Sequence, residues 1–226
     1  MKTPVNQTPP LRARTAPADQ TRAALVHAGL KLFGRQGFSA TSTRDIAALA
    51  KANIGSIAYH FGGKEGLHAA CADFIVETIQ AIAQPVLDQG SAGSEGAQAR
   101  LGLAVERMVG FFVASPEAGD IAQFVMRELA QPSAALDRIY AGVFEPTHRQ
   151  LCQIWNQATG ENADSEATKL TVFTLIGQVV YFRIAREAVL RRMGWDGISG
   201  PQAGAIASVV KRNLDTMLDA RSGGKP

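Results

Sequence analysis

The sequence has few of the features that mark secreted, membrane-bound or disulfide-bonded proteins. Its 226 residues include only two cysteines, Cys71 and Cys152, which lie far apart in apolar, helix-like surroundings. This usage favours two buried free thiols in a reducing compartment. No apolar run approaches the roughly 18 residues of a membrane span, and the N-terminus lacks the apolar segment of a secretory signal. We therefore expect a cytoplasmic protein without a membrane partner.

Signatures of catalysis and of metal binding are also lacking. The chain carries no G-x-S-x-G nucleophile motif and no phosphate-binding loop. His27, His68 and His148 are single histidines without the spacing of metal ligands. We therefore predict no catalytic residues, no cofactor and no metal site. An enzyme that uses His148 with Glu145 or Glu128 as a base is a weaker alternative.

Acidic residues are scarce in the first third of the chain. Residues 1–70 hold nine lysines and arginines but three acidic residues, a net charge of +6, whereas the remaining 156 residues carry −3. A basic segment attached to a mildly acidic body suggests that this segment binds a polyanion.

Helical periodicity runs through nearly the whole chain, and no stretch combines period-two alternation with hairpin turns. We therefore predict an all-α fold. Glycines and Pro85 mark helix ends, Thr43 and Asn53 are predicted N-caps, and residues 90–98 read as a flexible linker. The predicted helices span residues 21–36, 43–50, 53–61, 64–83, 98–114, 116–129, 134–159 with a kink at Pro146, 165–193 and 201–218.

Two of these helices are short and joined by a tight turn. Residues 43–50 and 53–61, supported by the preceding helix, have the layout of a helix-turn-helix motif, whose second helix enters the major groove. Ile46, Leu49, Ile57 and Phe61 are expected to point inward. The predicted DNA contacts are Thr43, Arg44, Ile54, Gly55, Ser56, Ala58, Tyr59, His60 and Lys64. Arg44 could instead be a solvated surface charge, and Tyr59 could pack against the next helix.

Residues 21–67 resemble the N-terminal DNA-binding domain of the TetR family of bacterial repressors. The matching elements are the pairs Leu32-Phe33 and Gly37-Phe38, the segment T-S-T-R-D-I-A from Thr41, and Y-H-F-G-G-K-E-G-L from Tyr59. Many members have a tyrosine at the position of Ala58, so Tyr59 takes over the aromatic role here. The resemblance implies a double-stranded DNA operator, a homodimer built on the last two long helices, and a ligand pocket in the centre of each subunit.

Two later segments are similar to the CecR-like branch of this family. They are RELAQPSAALDRIYAGVFEPTHRQL and LIGQVVYFRIAREAVLRRMGW. The branch is associated with control of efflux-type transporters and with drug-like effectors.

We divide the chain into a disordered basic arm (1–18), the helix-turn-helix domain (19–66), an effector-binding and dimerisation domain (67–220) and a disordered tail (221–226). The second domain mixes aromatic and polar residues in the way a ligand pocket requires. An ordinary core is the alternative, and Arg183 could simply pair with Glu187 on one helix face. The predicted effector contacts are Phe124, Arg127, Glu128, Tyr140, His148, Trp155, Gln178, Phe182 and Arg183.

The homodimer is assigned to apolar residues at helical spacing in the last two long helices. They are Leu170, Phe173, Gly177, Val180 and Ile184, followed by Ile206, Val209, Val210, Leu214 and Leu218. The sequence as a whole favours a repressor that a small aromatic or drug-like effector releases from a palindromic operator, and that controls efflux or transport genes. An orphan DNA-binding protein regulated by a protein partner is the alternative.

Overall fold

The computed structural model describes residues 16–87 and 93–222, and within these ranges it is helical and contains no strand. The all-α prediction is therefore confirmed. The helices are α1 (Ala16–Gln36), α2 (Thr43–Leu49), α3 (Gly55–Phe61), α4 (Lys64–Leu87), α5 (Ser94–Val109), α6 (Ala118–Ala130), α7 (Ala134–Ile139), α8 (Glu145–Thr159), α9 (Glu166–Ile184), α10 (Arg186–Met193) and α11 (Gly200–Ser222). A π-helical turn follows α5 at residues 110–114, and a second one joins α7 to α8 at residues 140–144.

The chain separates into two compact units between Cys71 and Ala72, inside α4. The division lies five residues beyond the predicted domain boundary because the first turns of α4 belong to the core of the first unit. Leu67 and Cys71 are fully buried there, and the Cys71 thiol donates to the carbonyl of Val26 at 3.5 Å. Burial raises the pKa of this thiol.

The first unit is a three-helix arrangement closed by the start of α4. Helix α1 packs against α2 and α3, which also contact each other. Its apolar face follows the predicted helical spacing, and each large buried side chain contributes about 1.5–3 kcal/mol of hydrophobic stabilisation. The buried apolar residues are Leu25, Val26, Ala28, Leu30, Phe33, Ile46, Ala47, Ile57, Leu67, Ala70 and Cys71.

Several helix ends differ from the sequence prediction. Helix α1 begins at Ala16, so residues 16–18 of the predicted disordered arm are helical, and Pro17 lies in a first turn where a backbone N–H needs no helical partner. Helix α4 continues past Pro85 to Leu87, because a proline in the last turn removes only one hydrogen bond. The rest of the arm (1–15) lies outside the described residues.

The predicted linker and tail are also shorter than expected. Helix α5 begins at Ser94, with Glu95 in its first turn, so residues 94–98 are helical. An acidic side chain in the first turn stabilises the helix, because it lies near the positive N-terminal end of the helix dipole. Helix α11 reaches Ser222 and thus includes the start of the predicted tail. Residues 88–92 and 223–226 lie outside the described ranges.

The second unit is built around α5, α8, α9 and α11. Helix α5 packs against α8 and α11, and α8 packs against α9. The indole N–H of Trp155, a fully buried residue, donates to the Glu161 carboxylate at 2.7 Å, and the same carboxylate accepts from Arg221 at 3.1 Å. This carboxylate therefore ties the end of α11 to α8. The second cysteine, Cys152, is a buried free thiol like Cys71, as predicted.

A substitution at Gly66 tests how closely the start of α4 packs against the end of α3. A β-carbon at residue 66 would lie 1.8 Å from the carbonyl oxygen of Phe61, so the backbone would have to shift. We expect Gly66→Ala to destabilise the first unit by about 1–3 kcal/mol, as overpacking does. Urea denaturation followed by circular dichroism measures this change.

Gly110→Ala is the matched control for this substitution. Gly110 has helical dihedral angles, and nothing lies within 4 Å of its added β-carbon. It should be neutral or stabilising by about 0.5–1 kcal/mol. Equal stability of Gly66→Ala and the wild type would contradict the close α3–α4 contact.

Candidate nucleic-acid interface

The first motif helix, α2, is capped by Ser42 and not by Thr43 as predicted. The Asp45 backbone N–H donates to the Ser42 hydroxyl oxygen at 3.1 Å, and that hydroxyl donates to the Asp45 carboxylate at 2.6 Å. The cap shifts by one residue because the extended backbone of Ser42 places its hydroxyl next to this N–H. Thr43 is therefore the half-buried first residue of the helix, and Arg44 follows it, exposed.

The turn between α2 and α3 is closed by backbone hydrogen bonds. The N–H groups of Lys51 and Ala52 donate to the carbonyls of Ala48 and Ala47 at 3.1 and 2.9 Å. The N-cap of α3 is Ile54, without a side-chain cap bond, and not Asn53 as predicted. Asn53 precedes it, and its side chain accepts from the Gly55 N–H at 2.8 Å. These bonds satisfy three of the backbone groups that the two helices leave free at their facing ends.

One side of α3 is anchored and the other is open. Ile57 is 2% exposed and holds the helix to the first unit, as predicted. Phe61 is only half-buried, and the Arg22 guanidinium lies 5.5 Å from its ring centroid. Leu49, also predicted to point inward, is 45% exposed, because the buried face of α2 is centred on Ile46 and Ala47 and, at about 100° per residue, Leu49 lies outside it.

The open side of α3 carries the predicted contact residues. Tyr59 is 83% exposed and Ile54 is 50% exposed, and Gly55 and Ala58 are exposed beside them. This exposure argues against the alternative in which the Tyr59 ring packs on the next helix. The Tyr59 hydroxyl is therefore available to an external partner.

The C-terminal end of α3 carries two further candidates. Gly62 ends the helix with a left-handed φ of 73°, and α4 starts at Lys64 immediately afterwards. The Lys64 ammonium lies 4.4 Å from the centroid of the Phe38 ring, and the His60 ring stands edge-on to Tyr59 at 4.9 Å. Both polar groups are half-buried and can bind an anion at this end of the helix.

The structure thus brings the nine predicted contacts into one region, and none of them is buried. They occupy the start of α2, the length of α3 and the α3–α4 junction. A seven-residue helix is about 10 Å long, which is close to the roughly 12 Å width of the major groove. Lys51, in the turn, was not among the predicted contacts, although a basic residue between two motif helices is visible in the sequence.

The predicted effector residues lie at separate places in the second unit, and each makes its own local contacts. Phe124 and Trp155 are fully buried in the core, whereas Tyr140 is exposed. Glu128 is buried, and its carboxylate accepts from the Ser133 hydroxyl at 2.5 Å. Arg127 is half-buried one residue earlier on α6.

Another candidate, Arg183, lies on α9 and holds that helix to a neighbouring segment. Arg183 donates to the carbonyls of Phe112 and Ser115 at 2.7 and 2.5 Å, so it does not pair with Glu187. Glu187 pairs with Arg191 instead. Burial, with a smaller contribution from a neighbouring arginine cation, lowers the pKa of Arg183.

Two more candidates bind α9 to its neighbours. Gln178 accepts from the Asn213 amide at 2.7 Å, which links α9 to α11. His148 stacks on Phe173 with ring centroids 4.0 Å apart, and its Nε2 lies 3.1 Å from the Lys169 carbonyl oxygen. Phe182 is partly buried against the hydrophobic core of the second unit.

An apolar cavity of about 10 Å³ lies between α5, α8, α9 and α11. Its lining includes none of the nine predicted effector residues: it consists of Leu101, Ala104, Val105, Met108, Leu151, Val172, Leu175, Ile176 and Leu214. Sites for drug-sized molecules are about 300–1,000 Å³. The predicted residues therefore do not converge on this cavity.

The outer face of α9 has an apolar stripe, here called the α9 stripe, that the core does not cover. It consists of the exposed residues Leu170, Phe173, Gly177, Tyr181 and Ile184. Val180, also predicted for the dimer surface, is half-buried. On α11, Val209 is exposed, but Ile206, Val210, Leu214 and Leu218 lie in the subunit core, because α11 packs with that face against α5.

Within residues 16–87 and 93–222, no helix is both long and apolar enough to cross a bilayer. The same ranges contain no cluster of three or more histidine, cysteine or acidic side chains suited to a metal ion.

Comparison with known proteins connects both units to transcriptional regulators. Residues 25–71 match the family of bacterial regulatory proteins named tetR, and residues 97–221 match the C-terminal domain of the HTH-type transcriptional dual regulator CecR. The chain is 30% identical over 216 residues to the CecR protein of Shigella flexneri, covering 93% of this chain and 96% of that one. It is 36% identical over 83 residues to the HTH-type transcriptional repressor NicS of Pseudomonas putida, covering 36% and 39%.

Solved structures have the same fold. One is AibR in complex with isovaleryl coenzyme A and operator DNA, with a TM-score of 0.64 at 15% identity over 84% of this chain and 96% of that one. Another is a TetR-like transcriptional regulator from Rhodococcus sp. RHA1, with a TM-score of 0.62 at 18% identity over 91% and 97%. The matched families are regulators and not enzymes, so the weaker enzyme alternative receives no support. The chain is a member of the TetR family of transcriptional regulators and of its CecR branch.

Proposed function

We propose that this regulator is a homodimeric repressor that binds a palindromic operator and is released from it by a small effector. The observation that carries the proposal is the open side of α3, where Tyr59 and Ile54 project from a short helix whose opposite side is anchored by Ile57. An exposed tyrosine and isoleucine on a helix of groove-sized length suit contact with base edges and phosphates.

The α9 stripe supports the homodimer. Contiguous exposed apolar residues on one helix are costly in water and usually mark an interaction surface. The stripe follows one side of α9 for its whole length, and Gly177 at its centre leaves room for a second helix, with nothing within 4 Å of an added β-carbon. A twofold dimer of this kind would present two α3 helices to half-sites about 34–36 Å apart.

Release by an effector would require two conformers of the dimer with different operator affinities. A coupling of about 1–3 kcal/mol between the two sites corresponds to roughly 5–150-fold in affinity. The apolar cavity between α5, α8, α9 and α11 is a void that a ligand could enlarge. Arg183 links α9 to the π-helical turn at residues 110–114. The structural relative AibR binds an acyl-coenzyme A, so larger ligands occur on this fold.

We propose a small aromatic or drug-like effector and control of efflux or transport genes, in line with the CecR branch. A second candidate is an orphan regulator whose partner is another protein. The observation that favours it is the cavity, whose volume of about 10 Å³ is far below the roughly 300–1,000 Å³ of sites for drug-sized molecules. A ligand screen on the DNA complex separates the two.

Loss of exposed side chains from the motif tests the DNA contact. Arg44→Ala and Tyr59→Ala should each weaken binding to a duplex selected by the wild-type chain by at least roughly 5–150-fold, the range expected for the loss of one good contact. Both side chains are exposed, so the fold should be retained. Fluorescence anisotropy measures the affinity, and Tyr140→Ala and Arg192→Ala in the second unit are the matched controls. Wild-type affinity in both motif variants would rule out this interface.

A bulky residue in the α9 stripe tests the dimer. Gly177→Trp should give folded monomers and abolish high-affinity binding, because one half-site alone holds weakly. Gln153→Trp adds the same bulk to the exposed outer face of α8 and should leave the dimer intact. Sedimentation velocity is the measurement. A wild-type monomer, or a Gly177→Trp dimer of normal strength, would place the interface elsewhere.

An effector screen tests release. We expect at least one compound among aromatic acids, phenolics and antibiotics to release the wild-type protein from DNA in a gel-shift titration. Arg183→Ala should blunt that release, because the link between α9 and the carbonyls of Phe112 and Ser115 is lost. Arg192→Ala is the charge control. Failure of every compound would favour the protein-partner candidate, and wild-type release in Arg183→Ala would exclude this link from the mechanism.

A further inference from the structure

The ends of five helices in the described part of the chain share one backbone conformation. The residue after α1, α3, α8 and α10 has a left-handed φ, and in each case it is a glycine: Gly37, Gly62, Gly160 and Gly194. At the end of α2 the left-handed residue is Lys51, two positions after Leu49, with a φ of 53°, and it is the one non-glycine residue with positive φ in residues 16–87 and 93–222. The exception thus falls inside the helix-turn-helix motif.

The backbone around Lys51 does not require a lysine. Its N–H donates to Ala48, and the next N–H donates to Ala47, which is the paired hydrogen-bond pattern that closes many helices. Glycine is the usual residue at this position, because a β-carbon is crowded in the left-handed conformation. The lysine therefore makes the turn less favourable than glycine would, and its charged side chain is the feature that a glycine could not supply.

The position of Lys51 relative to α3 indicates what the side chain does. Lys51 precedes the first residue of α3 by four positions, and Lys64 follows the last residue by three. Two lysines therefore stand at opposite ends of a helix about 10 Å long, and the walls of the major groove are lined with phosphates about 12 Å apart. Lys51 is exposed, so its ammonium is free to extend away from the turn.

We propose that Lys51 is an operator-phosphate contact that, together with Lys64, brackets α3 in the major groove, and that backbone strain in the turn is retained for this contact. The inference rests on the proposed function, since it names a contact of the same operator complex. Its role is to hold α3 in position along the groove, and it adds affinity without reading base sequence.

The test compares Lys51→Gly, Lys51→Ala and Lys51→Arg, with Arg192→Ala as a control that removes one positive charge from the second unit. The probe is a labelled duplex selected by the wild-type chain from random-sequence DNA, and affinity is measured by anisotropy over a series of salt concentrations. Thermal unfolding of the free proteins is measured in parallel.

Removal of the lysine should weaken binding while relieving the strain. Each lost phosphate contact should lower the salt slope by about 0.9 and the affinity at physiological salt by about 5-fold, and a dimer loses two contacts. Lys51→Gly and Lys51→Ala should show this loss equally, whereas Lys51→Arg and Arg192→Ala should keep the wild-type slope. The Tm of Lys51→Gly should equal or exceed that of the wild type.

Two results would overturn the proposal while leaving the function intact. They are a wild-type salt slope in Lys51→Gly, and a Tm of that variant below the wild type, which would mean that lysine stabilises the turn. If the wild-type chain selects no duplex at all, the proposed function fails and this inference fails with it.

Discussion

A helix of seven residues cannot maintain itself in water, and the DNA-binding half of this regulator depends on how α3 is held. Helices of two turns lack the length to offset the cost of their nucleation. Ile57 supplies the anchor, the Asn53 side chain accepts from the Gly55 N–H, and Gly62 ends the helix in a left-handed conformation. Gly66 then lets α4 begin against the Phe61 carbonyl. Only with these four supports can Tyr59 stand exposed at a fixed place.

The second unit uses α9 for two purposes. One side of the helix contributes Val172, Leu175 and Val179 to the core, and the other side forms the α9 stripe. Arg183 and Gln178 add hydrogen bonds to neighbouring segments, so the helix is held along its length. A helix that is packed on one side and apolar on the other is a preformed surface for the proposed second copy, and little conformational entropy is lost when such a surface is covered.

Features that depend on local chemistry could be predicted from the sequence, and features that depend on tertiary packing could not. The helical spacing of α1 and the burial of Ile57 follow from side chains within one or two turns. The roles of Arg183 and Trp155 depend on partners 71 and six residues away, at Phe112 and Glu161, which periodicity cannot identify. The apolar residues of α11 had two possible neighbours, a second subunit or α5, and the sequence does not distinguish these. The sequence shows a basic residue at position 51, but the left-handed backbone that distinguishes Lys51 is visible only in three dimensions.

The central claim is that two copies of the chain read a symmetric DNA site with paired α3 helices. Selection of duplexes from random-sequence DNA by the wild-type protein, followed by sequencing, tests it most directly. The account predicts an enriched inverted repeat whose half-sites have centres about one helical turn apart or a multiple of it. Enrichment of a single asymmetric site, or of no sequence at all, would contradict it.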